Sequence, residues 1–309
     1  MIANGSYGAD AGSAGQDAPK RESRRMALLK RAGLFGSNTS GADITRATSL
    51  KDLLEAYKLV HDEFVAMGYI KPRPSGLRVR SYEALPETAT FVAKVGDRVV
   101  GVQSIVVDSP DMGLPSDEAF HTELEGLRAN GRRVCECTNE AIASDYRKSA
   151  VTTELMRCCF AHALSVGCNE LITTVSPGHA RFYNLLGFGQ VSPIRSYSQE
   201  MNDPVVVVSM NIDGLEARFA EVNSTDGNDE AFIKGYYIDD NPYHSYVRAW
   251  TEMAGRVFRD PELLWELFVN RTALLAQCDC REIEAIRRRW GKAFAGVIDP
   301  ASTHAYSVA

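Results

Sequence analysis

The 309-residue sequence predicts an α/β fold, a mixed sheet with helices on both faces, followed by a helical C-terminal extension. Three observations carry this prediction. Leu50, Leu53, Leu54, Tyr57, Val60 and Phe64 recur at helical spacing and make one apolar stripe. Strand-like and helix-like runs then alternate as far as residue 212. Beyond residue 230 only helical signals continue.

The first helix spans about Leu50 to Met67, with Thr48 or Ser49 as its cap and Gly68 as its stop. Leu77–Tyr82 alternates and reads as a strand. Thr90–Lys94 and Arg98–Val107 flank VGDR, a tight hairpin signal. A polar link containing MGLPSDEAF leads into a helix over about Ser116–Ala129, which Asn130-Gly131 ends. A strand at Arg133–Ile142, a helix at Ala150–Val166 and the strand ELITTV at Glu170–Val175 follow. SPGHARFYNLLGF, residues 176–188, breaks the chain at Ser-Pro-Gly and continues as a short helix. VVVVSMNI at 205–212 closes the series. In the extension, Asp260-Pro261-Glu262 is a capped helix start with proline at the first position, and Leu263, Leu264, Leu267 and Phe268 supply its apolar face.

The division expected is a disordered tail over 1–44, a catalytic domain over 45–214, a linker over 215–230 and a helical extension over 231–309. The tail carries Lys20, Arg21, Arg24, Arg25, Lys30 and Arg31 around Met26, Leu28 and Leu29, which leaves a weak membrane-surface contact open beside a solvated tail.

Composition narrows the function. Hydrophobic residues at 45% and charged residues at 24% are ordinary for a globular protein. A net charge of −6 argues against a general nucleic-acid binder. No apolar run approaches the roughly 18 residues of a membrane span, and no secretory signal is visible. Seven scattered cysteines make no disulfide framework, so a reducing cytoplasm is the expected compartment. The Cys-x-Cys pairs at 135–137 and 278–280 lack partners at zinc spacing, so no metal is expected.

Three stretches hold candidate chemistry. On the strand VCECTNEAI, side-chain alternation places Glu136, Thr138, Glu140 and Ile142 on one face. Two carboxylates on one face of a central strand are unusual, and a partly buried glutamate has the raised pKa that suits a general base. A wet face or an arginine partner would explain them equally. At the next helix start, free N–H groups with Arg147 and Lys148 suit a phosphate, although the loop lacks glycines. In ARFYNLLGF, Tyr183 lies at the edge of the packed helix face, where its ring can pack while its hydroxyl reaches a cleft. His179 lies one turn earlier on the same side. Either is a candidate proton donor, and either can be an ordinary packed residue.

DYRKSAVTTELM, the following strand and ARFYNLLGF resemble the core of the GNAT N-acyltransferases. MGLPSDEAF, ECTNEAI and SPGHARFYNLLGF together are similar to the long-chain N-acyl amino acid synthases of the N-acyltyrosine synthase type, relatives of the acyl-homoserine lactone autoinducer synthases. The resemblance spans about residues 48–212. It implies a GNAT-like, mostly antiparallel sheet and amide formation from an acyl thioester. The co-substrate is then an acyl-phosphopantetheine thioester, on acyl carrier protein or as acyl-CoA, with no tightly bound cofactor. It implies Glu136 as general base or ammonium anchor and Tyr183 as general acid, and Thr138 matches the family's small hydroxyl residue; Thr138, Glu140 and His179 are the expected substrate-binding residues. Arg147, Lys148, Ser149, Ala150 and Val151 match the phosphate loop. The sequence departs from the pattern at Asn139 and Glu140, where the family has arginine and an apolar residue, and in the missing loop glycines. A glycine-poor loop favours a carrier-protein donor, and Arg78, Arg80, Arg132, Arg133, Arg147 and Lys148 are candidates to steer it, although scattered solubilising charge explains each of them equally well. An acetyl-CoA-dependent GNAT acetyltransferase and a non-catalytic binding module on the same scaffold stay open as alternatives.

Overall fold

The structure, a computed structural model, describes residues 23–31, 34–198, 201, 203–215 and 227–298. Its centre is an eight-stranded sheet of order β1-β2-β3-β4-β5-β8-β6, with β7 beside β8. The strands are β1 Asp43–Arg46, β2 Ala89–Val95, β3 Arg98–Val107, β4 Val134–Ile142, β5 Glu170–Val175, β6 Gly189–Gln190, β7 Arg195–Ser196 and β8 Pro204–Asn211. Every pairing is antiparallel except β4 with β5. That one parallel pair needs a crossover, and α4 (Val151–Ser165) supplies it.

Helices cover both faces. On one face α4, α1 (Arg24–Arg31) and α5 (Pro177–Leu185) bury Leu155, Phe160, Leu29 and Tyr183 against Phe91, Cys135 and Leu171. On the other face α2 (Leu50–Ala66) packs Leu53, Tyr57 and Val60 over Val92 and Val102. Beside it α3 (Asp117–Ala129) packs Phe120 and Leu124 over Val106, Val134 and Ile172. Ser49 caps α2 by accepting from the Asp52 amide at 3.1 Å, as its sequence position predicts. Gly101 of β3 lets α4 approach the sheet: a Cβ there would lie 2.7 Å from Val151 Cγ1.

Two local expectations fail. Leu77–Tyr82 forms no strand; it runs as loop into a 3-10 turn at Ser81–Ala84, because Glu83 binds back to the Arg80 amide at 2.6 Å and curls the chain. Within the tail expected to be disordered over 1–44, Arg24–Arg31 form α1 and Asp43 and Ile44 begin β1, while residues 1–22 and 32–33 lie outside the described residues. Met26 and Leu29 of that segment are buried in the α4-side core, whereas Leu28, the third apolar residue of the membrane-surface contact left open above, is 43% exposed. Lys20 and Arg21 lie outside the described residues, as do residues 216–226 of the expected linker.

The C-terminal helices are not an appendage. Ile233 and Tyr237 belong to the α4-side core. Leu264, Leu267, Phe268, Ile286 and Trp290 belong to the α2-side core. Among the described residues no helix is long and apolar enough to cross a membrane. Seven free cysteines are present, five of them buried, and no described cluster of His, Cys, Asp or Glu could hold a metal.

Candidate active site

Strands β4 and β5 pair only from Val134↔Glu170 to Cys137↔Thr173. Past that point their carboxyl ends separate. A cavity of about 350 Å³ occupies the opening and is lined by residues 136–142 of β4 and 173–176 at the end of β5.

A β-bulge sets what faces this cavity. The register against β3 shifts between Val102 and Ser104, opposite Asn139. Asn139 adopts φ 54°, the left-handed region that asparagine tolerates better than most residues. The extra residue resets the alternation. Glu136 and Thr138 stay on the α2–α3 face, whereas Glu140 turns to the α4 face and meets Tyr183. The expectation that Glu136 and Glu140 share a face is therefore wrong. Because the strands separate, both carboxylates still line the same cavity.

Glu136 is 1% exposed. The Ser116 amide donates to its Oε2 at 2.9 Å and the Ser116 hydroxyl to its Oε1 at 2.6 Å. Thr174 in turn stands 2.5 Å from Ser116 Oγ and donates to it, since the serine's own proton is committed to the carboxylate. Ser116 precedes α3 but makes no capping bond, because its hydroxyl is directed to Glu136. Burial raises the Glu136 pKa to about 7, against the opposing pull of the Ser116 bonds and the Arg80 charge.

Tyr183 is buried between Phe182 and Phe188, and its hydroxyl donates to Glu140 Oε2 at 2.8 Å. Burial and the neighbouring Glu140 hold the phenol well above its ordinary pKa, so it is a donor and not a phenolate at neutral pH. Burial also raises Glu140, against the Tyr183 hydrogen bond. His179 is exposed at the cavity rim, with Nδ1 3.0 Å from Ser176 Oγ.

A polar network backs β4. The Arg80 guanidinium holds Glu83 at 2.7 Å and reaches Thr138 Oγ1 at 3.4 Å. Asn139 donates to Glu83 Oε1 at 3.0 Å and accepts from Arg78. Arg78 is buried and Arg80 largely so, Arg132 is tied to Glu170, and Arg147 is paired with Glu63. Of the six cations expected to steer a carrier protein, only Arg133, Arg147 and Lys148 are exposed.

The loop before α4 differs from expectation. The Ser149 amide donates to Tyr146 O at 3.1 Å, the Ala150 amide to Asn38 O at 3.0 Å and the Val151 amide to Ser149 Oγ at 3.3 Å. All three amides expected to hold a phosphate are engaged within the chain. Arg147 reaches the cavity, whereas Lys148 lies outside its lining. Sequence reasoning missed Ser116, Thr174 and the Arg78–Glu83–Asn139 network. Only the cap-like position of Ser116 before Asp117-Glu118 offered a signal, and it pointed to a helix cap.

No curated protein matches the chain. Among solved structures, FeeM, an N-acyl amino acid synthase from uncultured soil microbes, is 23% identical, covers 56% of this chain and 91% of its own, and superposes with a TM-score of 0.50. The AHL synthase LasI is 19% identical over 55% of this chain and 89% of its own, with a TM-score of 0.44. The CoA-dependent acyl-homoserine lactone synthase BjaI, solved with SAM and isopentyl-CoA, is 21% identical over 63% and 99%, with a TM-score of 0.40. At 23% identity FeeM speaks for a shared fold alone. The sequence itself goes further: residues 55–211, which hold both carboxylates and Tyr183, match the family described as N-acyl amino acid synthase FeeM, and the chain belongs to that acyltransferase family.

Proposed function

We propose that the protein moves a fatty acyl group from a carrier-protein thioester to the amine of an amino acid. The observation that carries this reading is Glu136, a buried carboxylate with a pKa of about 7 at the opening between β4 and β5. A base poised near neutral pH is what an amine nucleophile requires.

In this reading the amine nitrogen attacks the thioester carbonyl carbon and gives up its proton to Glu136. The tetrahedral intermediate collapses with cleavage of the C–S bond. The departing sulfur takes the Tyr183 proton, and the proton gained by Glu136 passes through solvent to the Tyr183 oxygen, which restores both groups and the Tyr183 hydrogen bond to Glu140. The products are an N-acyl amino acid and the phosphopantetheine thiol. Phe64, Met67, Phe182 and Val205 give the cavity apolar walls suited to an acyl chain.

The engaged amides at 149–151 support a carrier-protein donor. A coenzyme A pyrophosphate would have to displace Asn38 O and Ser149 Oγ, whereas carrier-bound phosphopantetheine brings no adenosine diphosphate. Incubating the protein with mixed amino acids and either palmitoyl-carrier protein or acetyl-CoA, read by mass spectrometry, tests the reading. N-acyl amino acids are expected. Acetyl-CoA consumption without them would favour the acetyltransferase, and no thioester consumption at all the binding module.

A further inference from the structure

A second cavity, of about 500 Å³, adjoins the first, and the two share Arg78, Tyr197 and Met201. Its character differs. Arg73, Arg78, Arg80 and Arg281 line it, and one wall is Leu274, Cys278 and Glu282 of the C-terminal extension. That extension lies outside the family match at 55–211.

Arg78 at the junction is the unusual group. It is 4% exposed, yet makes no ion pair among the described residues. One terminal nitrogen donates to the neutral Asn139 side chain, and the plane lies over Phe64, 4.9 Å from the ring centroid. Its Nε has no hydrogen-bond partner. Arg80 contrasts with it, since Glu83 accepts from both its Nε and Nη2. The nearest carboxylate, Glu83, acts on it only across Asn139 and is itself held by Arg80; a buried guanidinium without a direct carboxylate partner is costly, and a planar bidentate anion is the ligand that relieves it.

We propose that the α-carboxylate of the acceptor amino acid docks on Arg78, with its amine toward Glu136 and its side chain in the second cavity. The proposal rests on the reaction proposed above. The spacing suits it. Glu136 and Arg78 both line the first cavity, and Arg78 binds Asn139, three residues from Glu136 on the same strand, so one small ligand in that cavity faces both groups. On this assignment the extension walls the acceptor side, so Leu274 and Cys278 help choose the side chain accepted.

The test uses the full chain, a carrier-protein acyl donor, and three acceptors that differ at one group: an amino acid, its α-amide and its decarboxylated amine. The wild type is expected to prefer the acid. Arg78→Met is expected to raise KM for the acid roughly 10- to 100-fold, the loss of a charged hydrogen-bonded pair, and to erase the preference for the acid over the other two acceptors, a ratio that any common fall in kcat through the Asn139 bulge leaves unmoved. Arg78→Lys keeps the charge but loses the fork, so it is expected to fall between them and serves if the Met variant does not fold. Calorimetric binding of the free acid, with no donor present, is expected to weaken in parallel. An unchanged acid-over-amide preference in the foldable variants, or equal wild-type use of all three acceptors, overturns the proposal while leaving amide formation intact. Wild-type protein that binds the acid through Arg78 but acylates nothing overturns the reaction and leaves the docking site. Wild-type protein that does not bind the acid overturns the site.

Discussion

Two hydrogen-bond donors from Ser116 stabilise the Glu136 carboxylate while burial opposes it, and burial wins. A pKa raised from 4.5 to about 7 has a definite sign. The fold prefers the protonated acid, so this group's contribution to stability is full below pH 4.5 and declines as pH rises to 7, by about 3 kcal/mol. Glu136→Gln lacks that loss. Its melting temperature is expected to equal or exceed wild type at pH 8, with the difference shrinking toward pH 4.5; a scanning calorimetry series checks it. The same variant is expected to lose at least 100-fold in turnover, the usual scale for a general base. Tyr183→Phe removes the proton donor and leaves Glu140 without its partner. A 10- to 100-fold fall in kcat, with a smaller change in KM, is expected from steady-state kinetics.

Among the elements, β4 shows where sequence reading ends. Its existence and span were legible from alternation, and so was Glu136 as a candidate. The bulge at Asn139 was not, because a left-handed residue in a strand depends on tertiary partners: here Arg78 and Glu83 hold its side chain. Missing the bulge misplaced Glu140 by one face. Leu77–Tyr82 misled for a related reason, since its alternation is real but Glu83 folds back on Arg80 and curls the end. The α4 crossover was legible, and its close seat on β3 explains Gly101. Gly101→Val is expected to destabilise by about 1–3 kcal/mol or more through overpacking against Val151, Ile142 and Leu155. A chemical denaturation midpoint measures this, and kcat is expected to fall as α4 shifts.

The molecule as a whole is one packed body in which the flanking segments complete the central sheet's cores. Composition made the first 44 residues look solvated, because two buried side chains in α1 carry little weight in a Gly/Ala/Ser-rich window. The C-terminal helices were legible as helices, but their partners were not, since amphipathic faces do not name what they cover. Trp290 shows the dependence: it is 3% exposed and donates from Nε1 to Ala84 O at 2.8 Å. Trp290→Ala is expected to cost about 3–5 kcal/mol in a urea titration, and removal of residues 231–309 to abolish cooperative unfolding. The central claim remains that Glu136 is the base of an amide-forming acyl transfer. The most direct measurement is kcat/KM against pH for N-acyl amino acid formation from an acyl-carrier protein. The account predicts a one-proton rise centred near pH 7 that vanishes, with the activity, in Glu136→Gln. Wild-type rates and an unaltered pH profile in that variant would contradict it.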